Sequence, residues 1–363
     1  MRRNGALFSG SATQRRDSAR LERGLNYVRR VNTCLVQSYE DSAEGRTLLA
    51  NFLGRAFGSA GDSVDWCRRF EQWWDLNPAG DLCHEKGWVL KARESGEIVG
   101  FLGLIPLCYA VDGKPSPAVV PTTWVVEPQF REASMMLGRK LQEFEGKTLI
   151  VSTTGRRDFR DRLVRRGWVL SGAAIRQFLP CGRWARYLIG ESAPLREGRR
   201  ITSEVDDVRS VAVSCQSGRG IEKWITPDYL RWYRQSPARE HRFAGVIDSE
   251  GRLTSFLMLA PAPVWGVLRA WSVVDWFTTE SGYGELRGLL AAVAESPAKV
   301  GVCEANGRSP FFLRLTSMVD DEVWEGVKGL LRSPVTLNHF HRAPEPLRLL
   351  PKRCVLAEGD LGL

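Results

Sequence analysis

The chain has 363 residues, 43% of them hydrophobic and 26% charged, which is ordinary for a globular protein and long for a single core. The formal net charge is +9, and no apolar run approaches the roughly 18 residues of a membrane helix, so a cytoplasmic protein with an anionic ligand is expected. Eight cysteines without a C-x-x-C pair argue against a zinc ribbon or a thioredoxin-like site and for reduced, mostly buried thiols.

Residues 1–31 carry Arg2, Arg3, Arg15, Arg16, Arg20, Arg23, Arg29 and Arg30 without apolar periodicity, and read as a flexible basic extension. No apolar segment follows Met1-Arg2-Arg3, so a secretory signal is not expected. Thr33-Cys34-Leu35-Val36 reads as a strand. Residues 47–57 place Leu48, Leu49, Phe52, Leu53 and Phe57 on one helical stripe. A second helix over 63–76 carries Trp66, Phe70, Trp73 and Trp74 and stops at Asn77-Pro78. Trp66, Phe70 and Trp73 suit a core, whereas Trp74, on another face, suits a substrate groove, with Trp88 a further aromatic in reach.

Strands are expected at 87–92 and 97–107 around Glu94-Ser95-Gly96, and at 119–126 after Asp112-Gly113-Lys114. A helix over 132–144, a buried strand over 148–153 and a basic helix over 159–166 follow, closed by Gly167-Trp168. Antiparallel strands leading into a βαβ crossover indicate an α/β (α+β) fold with a mixed sheet.

The second half repeats the order of elements. Strands are expected at 201–205, 243–247, 253–260, 268–277 and 299–304, and helices from Asp228, over 283–295 and over 310–315. The division expected is a first domain over 32–175 and a second over 176–363.

The segment Trp124-Val125-Val126-Glu127-Pro128-Gln129-Phe130-Arg131, followed at once by a helix, resembles the acyl-CoA site of the GNAT superfamily of N-acyltransferases. That family's motif is R/Q-x-x-G-x-G/A between a strand and a helix, where backbone N–H groups meet a pyrophosphate. Arg131 stands at the basic position, while Ser134 and Met136 stand where the family has small residues. Leu149 to Thr153 matches the family's next strand, and the helix with Gly167-Trp168 its closing element. Trp73-Trp74 before Asn77-Pro78, Tyr229-Leu230-Arg231-Trp232 before Pro237 and Glu358-Gly359-Asp360 resemble tandem-GNAT proteins of bacterial polysaccharide and specialised-metabolite pathways.

The resemblance implies two tandem GNAT-like domains, the first holding acetyl-CoA or another acyl-CoA as cosubstrate and the second walling off a small-molecule amine acceptor. It assigns cofactor binding to Val125, Val126, Arg131, Glu132, Ala133, Ser134, Met135, Met136, Thr153 and Arg160. Polarisation of the acyl carbonyl falls to the backbone N–H of Val126 or a neighbour. The second-half counterpart of the loop, 278–284, lacks a basic residue, and Glu280 would repel a pyrophosphate.

Three carboxylates are candidate bases. Glu127 ends the strand beside the loop, Asp275 interrupts the apolar run Val273-Val274-Trp276-Phe277, and Glu304 follows Cys303. Glu127 reads also as a solvent-facing strand-end carboxylate, and Asp275 and Glu304 as structural hydrogen-bond acceptors. His339 and His341 form an H-x-H pair without other ligands at metal-binding spacing, so no metal is expected. His84 and His241 stand alone, and Cys303 sits on a strand expected to be buried, a poor place for a nucleophilic thiolate.

The leading expectation is an acyl-CoA-dependent N-acyltransferase, most simply an acetyltransferase acting on a small metabolite or amino sugar by direct attack. A Fem-like aminoacyl-tRNA-dependent transferase and a catalytically degenerate GNAT-fold binding module are the alternatives. Nucleic acid is expected only under the tRNA alternative, no membrane partner is expected, and a homodimer is left open.

Overall fold

The computed structural model describes residues 33–57, 63–111, 113–152, 163–190, 194–212, 221–237, 239–262, 268–279, 283–303, 307–318, 322–324 and 326–342. The basic extension therefore lies outside the described residues, as do Thr153, Arg160, Glu280 and Glu304. No helix among the described residues is long and apolar enough to cross a membrane.

The first half begins with β1 (Cys34–Ser38), α1 (Ala43–Phe57) and α2 (Ser63–Phe70). It continues through the meander β2 (Gly87–Ala92), β3 (Ile98–Val111) and β4 (Lys114–Val126), then α3 (Ser134–Phe144), β5 (Leu149–Ser152) and β6 (Val169–Pro180). The second half runs through β7 (Arg200–Thr202), β8 (Ser210–Val211), β9 (Ile221–Lys223) and α4 (Pro227–Arg234). A second meander follows, β10 (Arg242–Ile247), β11 (Arg252–Pro261) and β12 (Ala270–Thr278), then α5 (Gly284–Glu295), β13 (Phe312–Met318) and β14 (Leu330–Arg342). The two meanders and their crossovers correspond: β2-β3-β4 then α3 and β5 in the first half, β10-β11-β12 then α5 and β13 in the second. In each, the last pair is parallel, β4 with β5 and β12 with β13.

The strands form one continuous sheet in the order β1-β2-β3-β4-β5-β14-β6-β13-β12-β11-β10-β7, with β8 added to β11 and β9 to β3. The halves exchange strands at its centre. β14, from the end of the described chain, inserts between β5 and β6, while β6 pairs with β13 of the other half. The expected division at 175/176 falls inside β6, between Ile175 and Arg176. β9 pairs with β3, and Gln72 and Trp232 exchange side chain–backbone hydrogen bonds across the halves. One apolar core accordingly runs from Tyr39 and Trp73 to Trp276 and Val327.

Three expected elements change. The helix expected over 63–76 stays α-helical only to Phe70 and then widens into a π-helical turn, Glu71–Asp75, in which Leu76 N donates to Glu71 O. This turn brings both Trp73 and Trp74 inward. Trp74 is 5% exposed, stacks on Phe70 at 5.0 Å and donates its Nε1 hydrogen to Leu104 O, so it belongs to the core and not to a groove. The strand expected over 299–304 is absent from its described part, because Pro297 opens a 3-10 turn that Gly301 closes at φ 72°. The helix expected over 310–315 is strand β13, in which Leu313 and Leu315 alternate into the core.

Candidate active site in the first half

β4 and β5 pair only at Ala118–Leu149 and Val119–Ile150. Beyond Val119 the strands diverge, and β4 continues through Val126 with a ladder on its β3 side. A V-shaped opening results. A β-bulge deforms β4 inside it: Val125 stands opposite Phe101 and Thr122 opposite Gly103, leaving Thr123 and Trp124 against Leu102 alone. Thr123 takes φ 47° there. The bulge turns Trp124 toward α3, where its Nε1 donates to Ser134 Oγ at 3.0 Å and its ring meets Gly138, whose missing Cβ would come within 3.2 Å.

At the open end Glu127 N donates to Val99 O, and Pro128 starts a 3-10 turn, Pro128–Ala133, that runs directly into α3. The predicted loop residues are therefore contiguous along one edge. Val125 and Val126 are half-buried against Phe101 and Gly100, and Arg131, Glu132 and Met135 are exposed. Ala133 is buried and Ser134 half-buried. Met136 packs inward against the cluster of Trp88, Leu137, Leu141 and Trp168, which takes its side chain off the loop. Ser134 accepts from Trp124, which leaves its own hydroxyl hydrogen available to an anion. Glu127 is half-buried, and its Oε2 accepts from Gln129 Nε2 at 2.6 Å. The closing Gly167-Trp168 element is anchored by Trp168 Nε1 donating to Glu145 Oε1 at 3.0 Å.

The second half has its own V. β12 and β13 pair from Ala270–Phe312 to Ser272–Arg314 and then diverge, and β12 carries a bulge at Val274, since Asp275 opposes Met258 and Val273 opposes Leu259. Asp275, 1% exposed, accepts from Lys223 Nζ at 3.2 Å and from Tyr229 Oη at 3.0 Å through Oδ2, and from its neighbour Trp276 N through Oδ1. Lys223 Nζ also donates to Tyr229 Oη at 2.9 Å. Burial pushes the Asp275 carboxyl above its ordinary value against the opposing pull of Lys223 and Tyr229. Burial, then the Asp275 charge, pushes the Tyr229 phenol well above its own. This is a closed, mutually satisfied network, and nothing in the apolar run around Asp275 marks Lys223 as its partner. Tyr229 lies in a fragment singled out in the sequence, whereas Lys223 sits on a three-residue strand with no pattern of its own.

The second half's loop is built differently. Tyr283 enters α5 at φ 56°, and Glu285 in the first turn is buried, accepting from Thr254 and Ser255 and paired with Arg199. A buried carboxylate already occupies the positive end of this helix, which disfavours a phosphate. Glu280, assigned the repelling role from sequence, lies outside the described residues.

Two of the predicted carboxylates, Glu127 and Asp275, stand apart. Glu127 follows Val126, which pairs with Gly100 at one end of β3, while Asp275 is tied through Lys223 to Tyr109 near the other. About 30 Å of strand separates those two points. Cys303 is half-buried and its carbonyl accepts from Arg242 Nε, and buried His241 packs on Tyr233 at 4.8 Å. The backbone of His339 and His341 lies in β14, and their side chains fall outside the described ones. Among the described residues no group of acidic, histidine and cysteine side chains could hold a metal ion.

No protein-family model matches the chain, and no curated protein matches it in sequence. Solved structures do match its shape. A GCN5-related N-acetyltransferase from Anabaena variabilis ATCC 29413 superposes with a TM-score of 0.55 at 12% identity, over 87% of this chain and 74% of that one. A conserved protein of unknown function from Enterococcus faecalis V583, a probable N-acyltransferase, gives 0.53 at 12% identity, over 86% and 73%. A GCN5-related N-acetyltransferase from Kribbella flavida gives 0.52 at 13% identity, over 85% and 71%. With two meander–helix–strand units, each with a bulged strand that splays from its parallel neighbour, the chain has the GCN5-related N-acetyltransferase fold, built twice in tandem.

Proposed function

We propose that the protein is an acyl-CoA-dependent N-acyltransferase that transfers an acyl group, most simply acetyl, to the amine of a small metabolite or amino sugar. One observation carries this reading: β4 leaves β5 at Val119 and runs with a free edge to a helix start that presents Arg131. Arg131, the first turn of α3 and the Ser134 hydroxyl would meet the pyrophosphate, and the edge at Val125 and Val126 would meet the pantetheine amides. A backbone N–H of this strand would hold the carbonyl oxygen as it becomes an oxyanion. The acceptor nitrogen attacks the thioester carbon, the carbon–sulfur bond breaks, and the proton lost by the amine is matched by one gained by the departing thiolate. Glu127, oriented by Gln129, is the nearest assigned carboxylate to that edge and the proposed base. Asp275, closed within its own network, acts in positioning. Residues 32–175 would thus house the thioester and 176–363 the acceptor wall.

The degenerate-module reading draws on Trp124, whose indole already engages Ser134 at the loop. Release of free thiol from acetyl-CoA in the presence of a panel of amines separates the two. Amine-dependent thiol release, lowered tenfold or more in kcat/KM by Arg131→Glu, supports the transferase. Acetyl-CoA binding without release on any amine favours the module.

A further inference from the structure

The apex of the first V is apolar, closed by Val119 and Ile150; the apex of the second is closed by Ser272 and Arg314. Arg314 Nε donates to Oγ of buried Ser272 at 3.1 Å. Arg176 of β6 opposes Thr316, and Phe178 opposes Arg314, so the two arginines share one face of adjacent strands. The Arg176 guanidinium lies 5.8 Å from the Phe178 ring centroid, and its Nε is buried with no hydrogen-bond partner. Arg239, just past α4, is close enough to act on both Arg314 and Tyr233, and the buried Tyr233 hydroxyl also has no partner. The nearby carboxylates are engaged elsewhere: Asp275 with Lys223, Glu285 with Arg199, Glu240 with Arg242. Among the described residues none pairs with this triad.

Burial, followed by the like charges of Arg176 and Arg239, holds the Arg314 guanidinium down to about 10. Arg176 and Arg314 are half-buried and Arg239 is exposed at their edge. Partly desolvated guanidiniums gathered without a counter-charge repel one another, and their planar forks match carboxylate and phosphate oxygens. We propose that Arg176, Arg239 and Arg314 bind the carboxylate or phosphate group of the acceptor, which is therefore an anionic amine. The assignment to the acceptor rests on the transferase reading; the anion site itself does not.

The test is thermal unfolding and calorimetric titration of the full chain with inorganic phosphate and, separately, with acetate, at constant ionic strength. Saturable stabilisation by one anion is expected, and which anion acts tells phosphate from carboxylate. Arg314→Gln and Arg176→Gln should each weaken it about tenfold, the loss of one charge-assisted contact. The exposed Arg139→Gln should leave it unchanged. Without anion, Arg314→Gln should unfold at or above the wild-type temperature, because a half-buried guanidinium without a counter-charge has been removed while the amide can still donate to Ser272; a lower temperature would mark Arg314 as structural and overturn the site. Equal stabilisation of all variants would overturn it as well. If Arg314→Gln lowers acetyl-CoA affinity while Arg131→Glu does not, the anion belongs to CoA and the acceptor assignment fails. Loss of CoA binding in Arg131→Glu with the phosphate response intact separates the two sites.

Discussion

Lys223 Nζ lies 3.2 Å from Asp275 Oδ2, joining a strand that pairs with the first half to the central strand of the second. Both side chains are at most 5% exposed. Lys223→Met leaves a buried carboxylate without its cation and should cost about 3–5 kcal/mol. Lys223→Met with Asp275→Asn should cost less than the sum of the single changes, because both groups act as a unit. Urea unfolding of the four proteins measures the coupling, and additive losses would mean that the pair does not link the halves.

A surface network gives a pH signature. Arg46 donates two bonds to Asp41 and two to Asp75, and Lys86 also engages Asp41. Burial alone would raise the Asp41 carboxyl, but the bonds from Arg46 and Lys86 outweigh it and hold the group below its ordinary value. A depressed carboxyl adds stability above its unfolded value of about 3.9 and loses it as pH falls through the lower folded value. Wild type should therefore exceed Asp41→Asn in stability at neutral pH, and the gap should close in acid. A gap that persists at the acid end would contradict this.

Gly87 opens β2 at φ 134°, opposite Gly103, and a Cβ there would stand 2.8 Å from the Gly103 Cα. Since Gly87 O accepts from Tyr39 N, the strand cannot simply back away. Gly87→Ala should destabilise by more than the roughly 1 kcal/mol typical of a point substitution, measured by thermal unfolding.

Cysteine reactivity should follow burial. Cys67 is exposed, Cys34 is buried, and burial pushes the Cys181 thiol up to about 12. Iodoacetamide in the native state should modify Cys67 well before Cys34 or Cys181, as read by peptide mass spectrometry. Rapid labelling of Cys181 would contradict the packing described.

The first-half loop was legible because it is local: an apolar run, a proline, Arg131 and a helix are contiguous from Val119 to Phe144. Trp74 was misjudged because helical spacing assumes 3.6 residues per turn, and the π-helical turn after Phe70 rotates it inward. β14 gave no usable signal, since its place between β5 and β6 depends on pairing with strands far earlier in the chain. The second half was displaced by one element, because 299–304 is apolar enough for a strand while the strand that pairs with β12 starts at Phe312. Arg314 carried a readable cue, an arginine alternating with Leu313 and Leu315. Its meaning required Arg176, Arg239 and Ser272, which only the fold assembles.

On the proposed function, the first V takes acyl-CoA by the edge that leads to Arg131. Calorimetric titration of acetyl-CoA into wild type and Arg131→Glu, with bulk tRNA titrated in parallel, tests it most directly. The expected result is micromolar binding to wild type, at least tenfold weaker in the variant, with no binding of tRNA. Equal affinity in both proteins, or salt-sensitive tRNA binding without acetyl-CoA binding, would contradict it.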